Sequence, residues 1–129
     1  MPHFVIECSE NVLQLTAPDA LMAAVYEEAE STGLFAKNDV KVRITPFSMY
    51  KIVEGMETFL HVFANIMEGR TTEQKADLSK RIVTRLNALL PNLSILSMNV
   101  REFERATYTN KGLIDPRNTS GDRHFGLPK

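Results

Sequence analysis

The sequence predicts a two-layer α+β sandwich: a four-stranded sheet with two helices on one face. Three observations predict it. The order β-α-β occurs twice along the 129 residues. Each helical stretch carries an apolar stripe at helical spacing and has its own start and stop residues. The stretches that flank the helices alternate or run apolar with the period of a strand. The two halves span about 2–56 and 57–110 of one domain, and 111–129 form a tail.

Taken in order, residues 3–8 (HFVIEC) are aromatic and β-branched and read as a buried strand. A helix follows over about 17–32, with Thr16 as N-cap, Pro18 in the first turn and Asp19 against the positive helix end. Its stripe is Leu21, Met22, Val25 and Ala29, and Gly33 terminates it. Val40, Val42 and Ile44 alternate with Lys41, Arg43 and Thr45, which predicts a strand over 40–46. A further strand is expected near 48–54 (SMYKIVE). Residues 57–68 form a long strand with apolar side chains on both faces, broken by Gly69. Thr71 and Gln74 are spaced as a capping box. The helix they open carries Leu78, Ile82, Leu86 and Leu90, and Pro91 stops it. A last strand is expected over 93–104, and loop from Lys111 onward.

Two β-α-β units leave one sheet face without helices. The two-sided strand at 57–68 requires that face to be covered, and oligomerisation is the economical way to cover it. A ferredoxin-like β-α-β-β-α-β arrangement fits the same string, so the order of elements leaves the topology open.

Composition excludes several function classes. Fifteen Lys and Arg against sixteen Asp and Glu leave a formal charge of -1. That balance argues against a nucleic-acid binder and against a polybasic membrane-surface protein. With 43% apolar and 24% charged residues the chain has the make-up of a soluble globular domain. No apolar run approaches the length of a membrane span, and the N-terminus lacks the regions of a signal peptide. A reduced, cytoplasmic protein is expected. The single Cys8 cannot form an internal disulfide and lies within an apolar strand, as a core thiol does. Asn118-Thr119-Ser120 fits a glycosylation sequon, which without secretion has no acceptor role.

Phosphate-loop, dinucleotide, zincin and nucleophile-elbow motifs are absent. His3, Cys8, His61 and His124 share no metal-ligand spacing, so no metal site is expected. His61, between Leu60 and Val62, reads as a hydrogen-bonded core or interface histidine. What remains lies at the front of the chain. Pro2 follows the initiator Met, which is normally removed before a small residue, and removal leaves a secondary amine. A chain-terminal amine titrates near pH 8 in peptides, and burial or nearby cations lower it. It can then move a proton near neutral pH. Retention of Met1 makes the same nitrogen an amide. Lys41 and Arg43 point the same way from one strand, and Arg70 stands just ahead of a capped helix N-terminus, a good setting for a carboxylate. Ordinary surface charge is the competing account of these three cations, as a mere strand start is of Pro2.

The opening Pro2-His3-Phe4-Val5-Ile6-Glu7-Cys8-Ser9, with Asn11 two residues on, resembles the 5-carboxymethyl-2-hydroxymuconate isomerase family of the tautomerase superfamily. Thr32-Gly33-Leu34-Phe35 and Gly69-Arg70 extend the resemblance over roughly 2–110. It implies the tautomerase fold, a homotrimer whose sheets enclose a common core, and a cofactor-independent isomerase of aromatic catabolism. It also implies the chemistry: Pro2 takes a proton from a carboxylated dienol and returns it at a distant carbon, giving an unsaturated 2-oxo acid. Arg70 matches a family arginine that holds a substrate carboxylate. The other family arginine falls at Lys41, with Arg43 two positions on, so the bidentate fork is lost at that position. The chain is also shorter than the family between its second and third strands, and its tail matches poorly. Two alternatives stand beside this one: a tautomerase of another enol, and a non-catalytic ferredoxin-like oligomeric binding module.

Overall fold

A computed structural model describes residues 1–115 and Arg117. Its main elements are β1 (His3–Ser9), α1 (Pro18–Ser31), β2 (Lys41–Phe47), β3 (Phe59–Met67), α2 (Thr72–Leu89) and β4 (Ile95–Phe103). The sheet order is β2-β1-β3-β4. β1 and β2 pair in parallel around α1, β3 and β4 pair in parallel around α2, and β1 joins the halves by pairing antiparallel to β3. The β-α-β unit is thus present twice.

Register sorts the side chains by parity. Phe4, Ile6 and Cys8 stand level with Ala64, Val62 and Leu60, and Phe4 and Ile6 also stand level with Val42 and Ile44. Leu96, Met98 and Val100 extend the same rows across β4. This face packs on Leu21, Ala24, Val25 and Ala29 of α1 and on Leu78, Ile82 and Leu86 of α2. The helix stripes are those expected, except that Met22 is only partly buried and Ala24 takes a fully packed place. Arg85 ties the helices together on their outer side, bonding Glu27 and Glu28 at 2.9 Å each. The opposite face carries His3, Val5, His61, Phe63 and Asn65, all partly exposed, and neither α1 nor α2 packs on it.

Several boundaries differ from expectation for local reasons. The N-cap of α1 is Ala17, not Thr16. Pro18 fixes the first helical residue and holds the residue before it extended, so Thr16 falls outside the helix. Its amide closes the preceding turn onto Val12. Residues 48–54 are not a strand. β2 stays the edge strand of the sheet, and Pro46 removes one donor from its ladder. The 48–54 segment is anchored instead by Tyr50, which stacks on Phe59 at 5.2 Å and reaches the Glu57 carbonyl. Lys111–Ile114 is a short helix, α3, where loop was expected, because the Asn110 side chain caps it by accepting from the Leu113 amide at 3.1 Å. The remainder of the tail, with Asn118 and His124, lies outside the described residues.

The entry to α2 matters most for the site. Gly69 sits at φ +116°, where a side chain would be strained, and it turns the chain out of β3. Thr71 then accepts from the Gln74 amide at 3.1 Å while the Gln74 side chain accepts from the Thr71 amide at 2.8 Å. Arg70 is held between these two devices. Replacing Thr71 by Ala removes half the box and is expected to cost about 1 kcal/mol of stability, read as a lowered midpoint in denaturant unfolding with an unchanged slope.

Candidate functional site

The antiparallel β1–β3 pair brings the start of the chain to the end of β3, since His3 stands opposite Asn65. Pro2 is buried there, and its carbonyl accepts from the Lys41 amide at 3.1 Å, extending the β1–β2 ladder. Met1 precedes it and is 3% exposed. The Pro2 nitrogen is therefore an amide nitrogen in this chain, with its lone pair drawn into the peptide bond. The Met1 ammonium pairs with the Asp39 carboxylate and donates to the Asp39 carbonyl at 3.1 Å.

Arg70 lies at the same end of the sheet. It is 8% exposed, donates to the Leu34 carbonyl and lies over the Phe35 ring at 5.6 Å. Phe35 in turn meets Phe4 of β1 edge to face. Its Nε is buried with no hydrogen-bond partner among the described residues. Burial first, and the Arg105 guanidinium second, pull Arg70 below the usual arginine range. A carboxylate at the Arg70 guanidinium would answer both deficits, and guanidinium–carboxylate pairs are the strong class of hydrogen bond.

The two other cations singled out in the sequence arrive at the same end but already have protein partners. Lys41 Nζ donates to the Asp39 carbonyl at 2.7 Å and stands 3.3 Å from its carboxylate. Arg43, level with Val5, meets His3 Nδ1 at 3.1 Å. Pro2, Lys41 and Arg70 thus share one end of the fold, and Arg43 lies on the open face beside His3. Asp39, Phe35 and Arg105 complete this end. Asp39 carried no sequence signal, because an acidic residue in the turn before a strand looks like solvated surface. Phe35 stood in the Thr32-Gly33-Leu34-Phe35 stretch but only as part of a resemblance.

Away from this end, His61 is hydrogen-bonded as expected, to Ser97 Oγ at 2.6 Å and Asn99 Oδ1 at 2.5 Å, though on the open face rather than in the core. No helix among the described residues is long and apolar enough to cross a membrane.

Comparison with known proteins assigns the class. A 5-carboxymethyl-2-hydroxymuconate isomerase from Deinococcus radiodurans R1 has the same fold, with a TM-score of 0.74 at 21% identity over 85% of this chain and 88% of that one. A symmetric trimer of fused wild-type 4-OT matches with a TM-score of 0.70 at 16% identity, over 84% of this chain and 91% of that one. The sheet of two β-α-β units is the tautomerase fold, and the chain is an isomerase of that superfamily. Residues 2–117 match the family described as "CHMI: 5-carboxymethyl-2-hydroxymuconate isomerase", and the chain belongs to it. The 5-carboxymethyl-2-hydroxymuconate Delta-isomerase of Escherichia coli is 28% identical over 110 residues, covering 80% of this chain and 87% of the relative.

Cys8 takes no part in this arrangement. It is wholly buried under the helices, and burial pushes its thiol up. A thiol reagent at neutral pH is expected to label it only as fast as the fold opens, which mass spectrometry with and without denaturant would show.

Proposed function

We propose that this isomerase converts a carboxylated 2-hydroxymuconate-type dienol to its unsaturated 2-oxo acid without a cofactor, using the Pro2 amine as acid and base after Met1 is removed. The amine takes the dienol hydroxyl proton while the electron pair moves through the conjugated system. The resulting ammonium returns a proton to the distant carbon, so the reaction is balanced within one substrate. The observation that carries this reading is the placement of a buried Pro2 at the same sheet end as a buried Arg70 whose Nε lacks a partner. Arg70 is then the carboxylate anchor. The relatives' name supports the substrate class, and the proposed place of the reaction is the cytoplasmic catabolism of aromatic compounds. The partly exposed face of the sheet, with Phe63 and His61 at its middle, is the face that a homotrimer would enclose, and the trimeric 4-OT structure supports that assembly.

Lys41 and Arg43 favour a second reading of the substrate. Both are engaged with protein groups, Asp39 and His3, whereas the buried Arg70 Nε has no partner among the described residues. That favours an enol with one carboxylate near the reacting end, such as a phenylpyruvate-like enol, over a dicarboxylate gripped at both ends. Rates on matched mono- and dicarboxylate enols separate the two.

The central test follows the ultraviolet change as dienol becomes enone. The chain beginning at Pro2 is expected to turn over, and a chain that keeps Met1 to show none; full activity with Met1 in place would overturn the assignment of Pro2. Arg70→Ala in the processed chain is expected to lower kcat/KM about 10- to 100-fold, the worth of a hydrogen bond to a charged group. That loss should fall mainly on substrates that carry the carboxylate.

A further inference from the structure

Asp39 is the buried anion at the site end. Its residue is 2% exposed, and a built turn holds it there. The Asp39 amide closes onto the Ala36 carbonyl at 3.1 Å, Asn38 adopts φ +66°, and the Asn38 amide is taken by Glu30 Oε1 at 3.3 Å. Asparagine tolerates that left-handed backbone better than most residues. The carboxylate so placed faces two cations, the chain-terminal ammonium and Lys41. A buried carboxylate is costly unless it is paired, so Asp39 depends on the chain terminus.

We propose that Asp39 is a positioning residue for the catalytic amine: in the processed chain its carboxylate takes the Pro2 ammonium in place of that of Met1. This inference rests on the reading of Pro2 given above. Removal of Met1 shifts the terminal nitrogen by about one residue repeat, ~3.8 Å. Pro2 is itself buried and tied to β2 through its carbonyl. The new amine therefore stays within the ~4–6 Å over which an opposite charge favours an ionised group.

The other charges around this end act in both directions. Lys41 and Arg43 on β2, Arg70 after β3 and Arg105 after β4 favour the neutral amine, as does His3 on β1 when protonated. Glu30 at the end of α1 and Glu68 after β3 oppose them. Glu68 is exposed and accepts from the Arg105 amide, and Glu30 is partly exposed and bonded to Asn38. Asp39 is the acid among them that is fully buried and in contact with the terminus. Its effect is to hold the amine protonated to higher pH than the cations alone would, and Lys41 moderates that effect by sharing the carboxylate.

The experiment uses the full chain processed to Pro2, verified by intact mass and labelled with 15N-proline, with the terminal amine titrated by NMR. Asp39→Asn, which keeps size and hydrogen bonding, is expected to lower the amine midpoint by about one pH unit. The acid limb of kcat/KM, which reports loss of the neutral base, should move down with it. Lys41→Met is expected to move both upward, and it carries the test if the Asp39 variant does not fold. A purely structural role would change stability or kcat and leave the midpoint in place. An unmoved midpoint in Asp39→Asn, or in Lys41→Met where that variant alone folds, overturns the inference. The amine titration is independent of turnover. Wild-type protein that fails to act on any dienol, with the midpoint still moving, removes the isomerase reading of Pro2 and keeps the Asp39 contact; turnover with a fixed midpoint does the reverse.

Discussion

The antiparallel ladder between β1 and β3 is the constraint on which the rest of the molecule depends. Each β-α-β unit is parallel inside, so without this pairing the two halves would present separate two-stranded sheets, too small to be stable alone. With it they form one four-stranded sheet. The same ladder sets where the candidate site lies. The start of β1 must meet the end of β3, so the first residues of the chain come to the turn that Gly69 makes into α2. A one-residue slip would exchange every odd and even side chain and would place Phe4 and Ile6 on the bare face.

The two faces of that sheet are built differently. The even rows are apolar, buried at β1 and β3, and packed against helices that carry complementary stripes. The odd rows mix aromatic and polar groups that satisfy one another within the sheet. His61 bonds Ser97 and Asn99, Asn65 accepts from Arg101, and the Arg101 guanidinium lies 4.4 Å from the centre of the Phe63 ring. Such a surface is stable in water yet offers aromatic area, as an interface does. The architecture thus concentrates core energy on one side of the sheet and gives the other side a mixed aromatic and polar surface.

Most of the fold was legible because it rests on local rules. Alternation marked β2, the two-sided apolar run marked β3, and Thr71 with Gln74 marked the start of α2 ahead of its first buried side chain, Leu78. Errors arose where a local rule met a neighbour. Thr16 is the better capping residue in isolation, but Pro18 decides the cap. SMYKIVE has strand composition, but it joins no ladder and is held by Tyr50 on Phe59 and Glu57. The site divides in the same way. Pro2 and Arg70 were visible through their positions beside a strand start and a helix start. Asp39 was not, because burial of a turn carboxylate is a property of the folded neighbourhood and leaves no periodic trace.

The burial of Met1 bears on how the protein is handled. Its ammonium is buried and meets Asp39, a residue 38 positions further along the chain. Any residue fused ahead of Met1 turns that ammonium into an amide and removes it from the Asp39 ion pair. An affinity tag on this end would therefore have to thread out of a packed corner of the molecule, at the expense of one of its buried ion pairs.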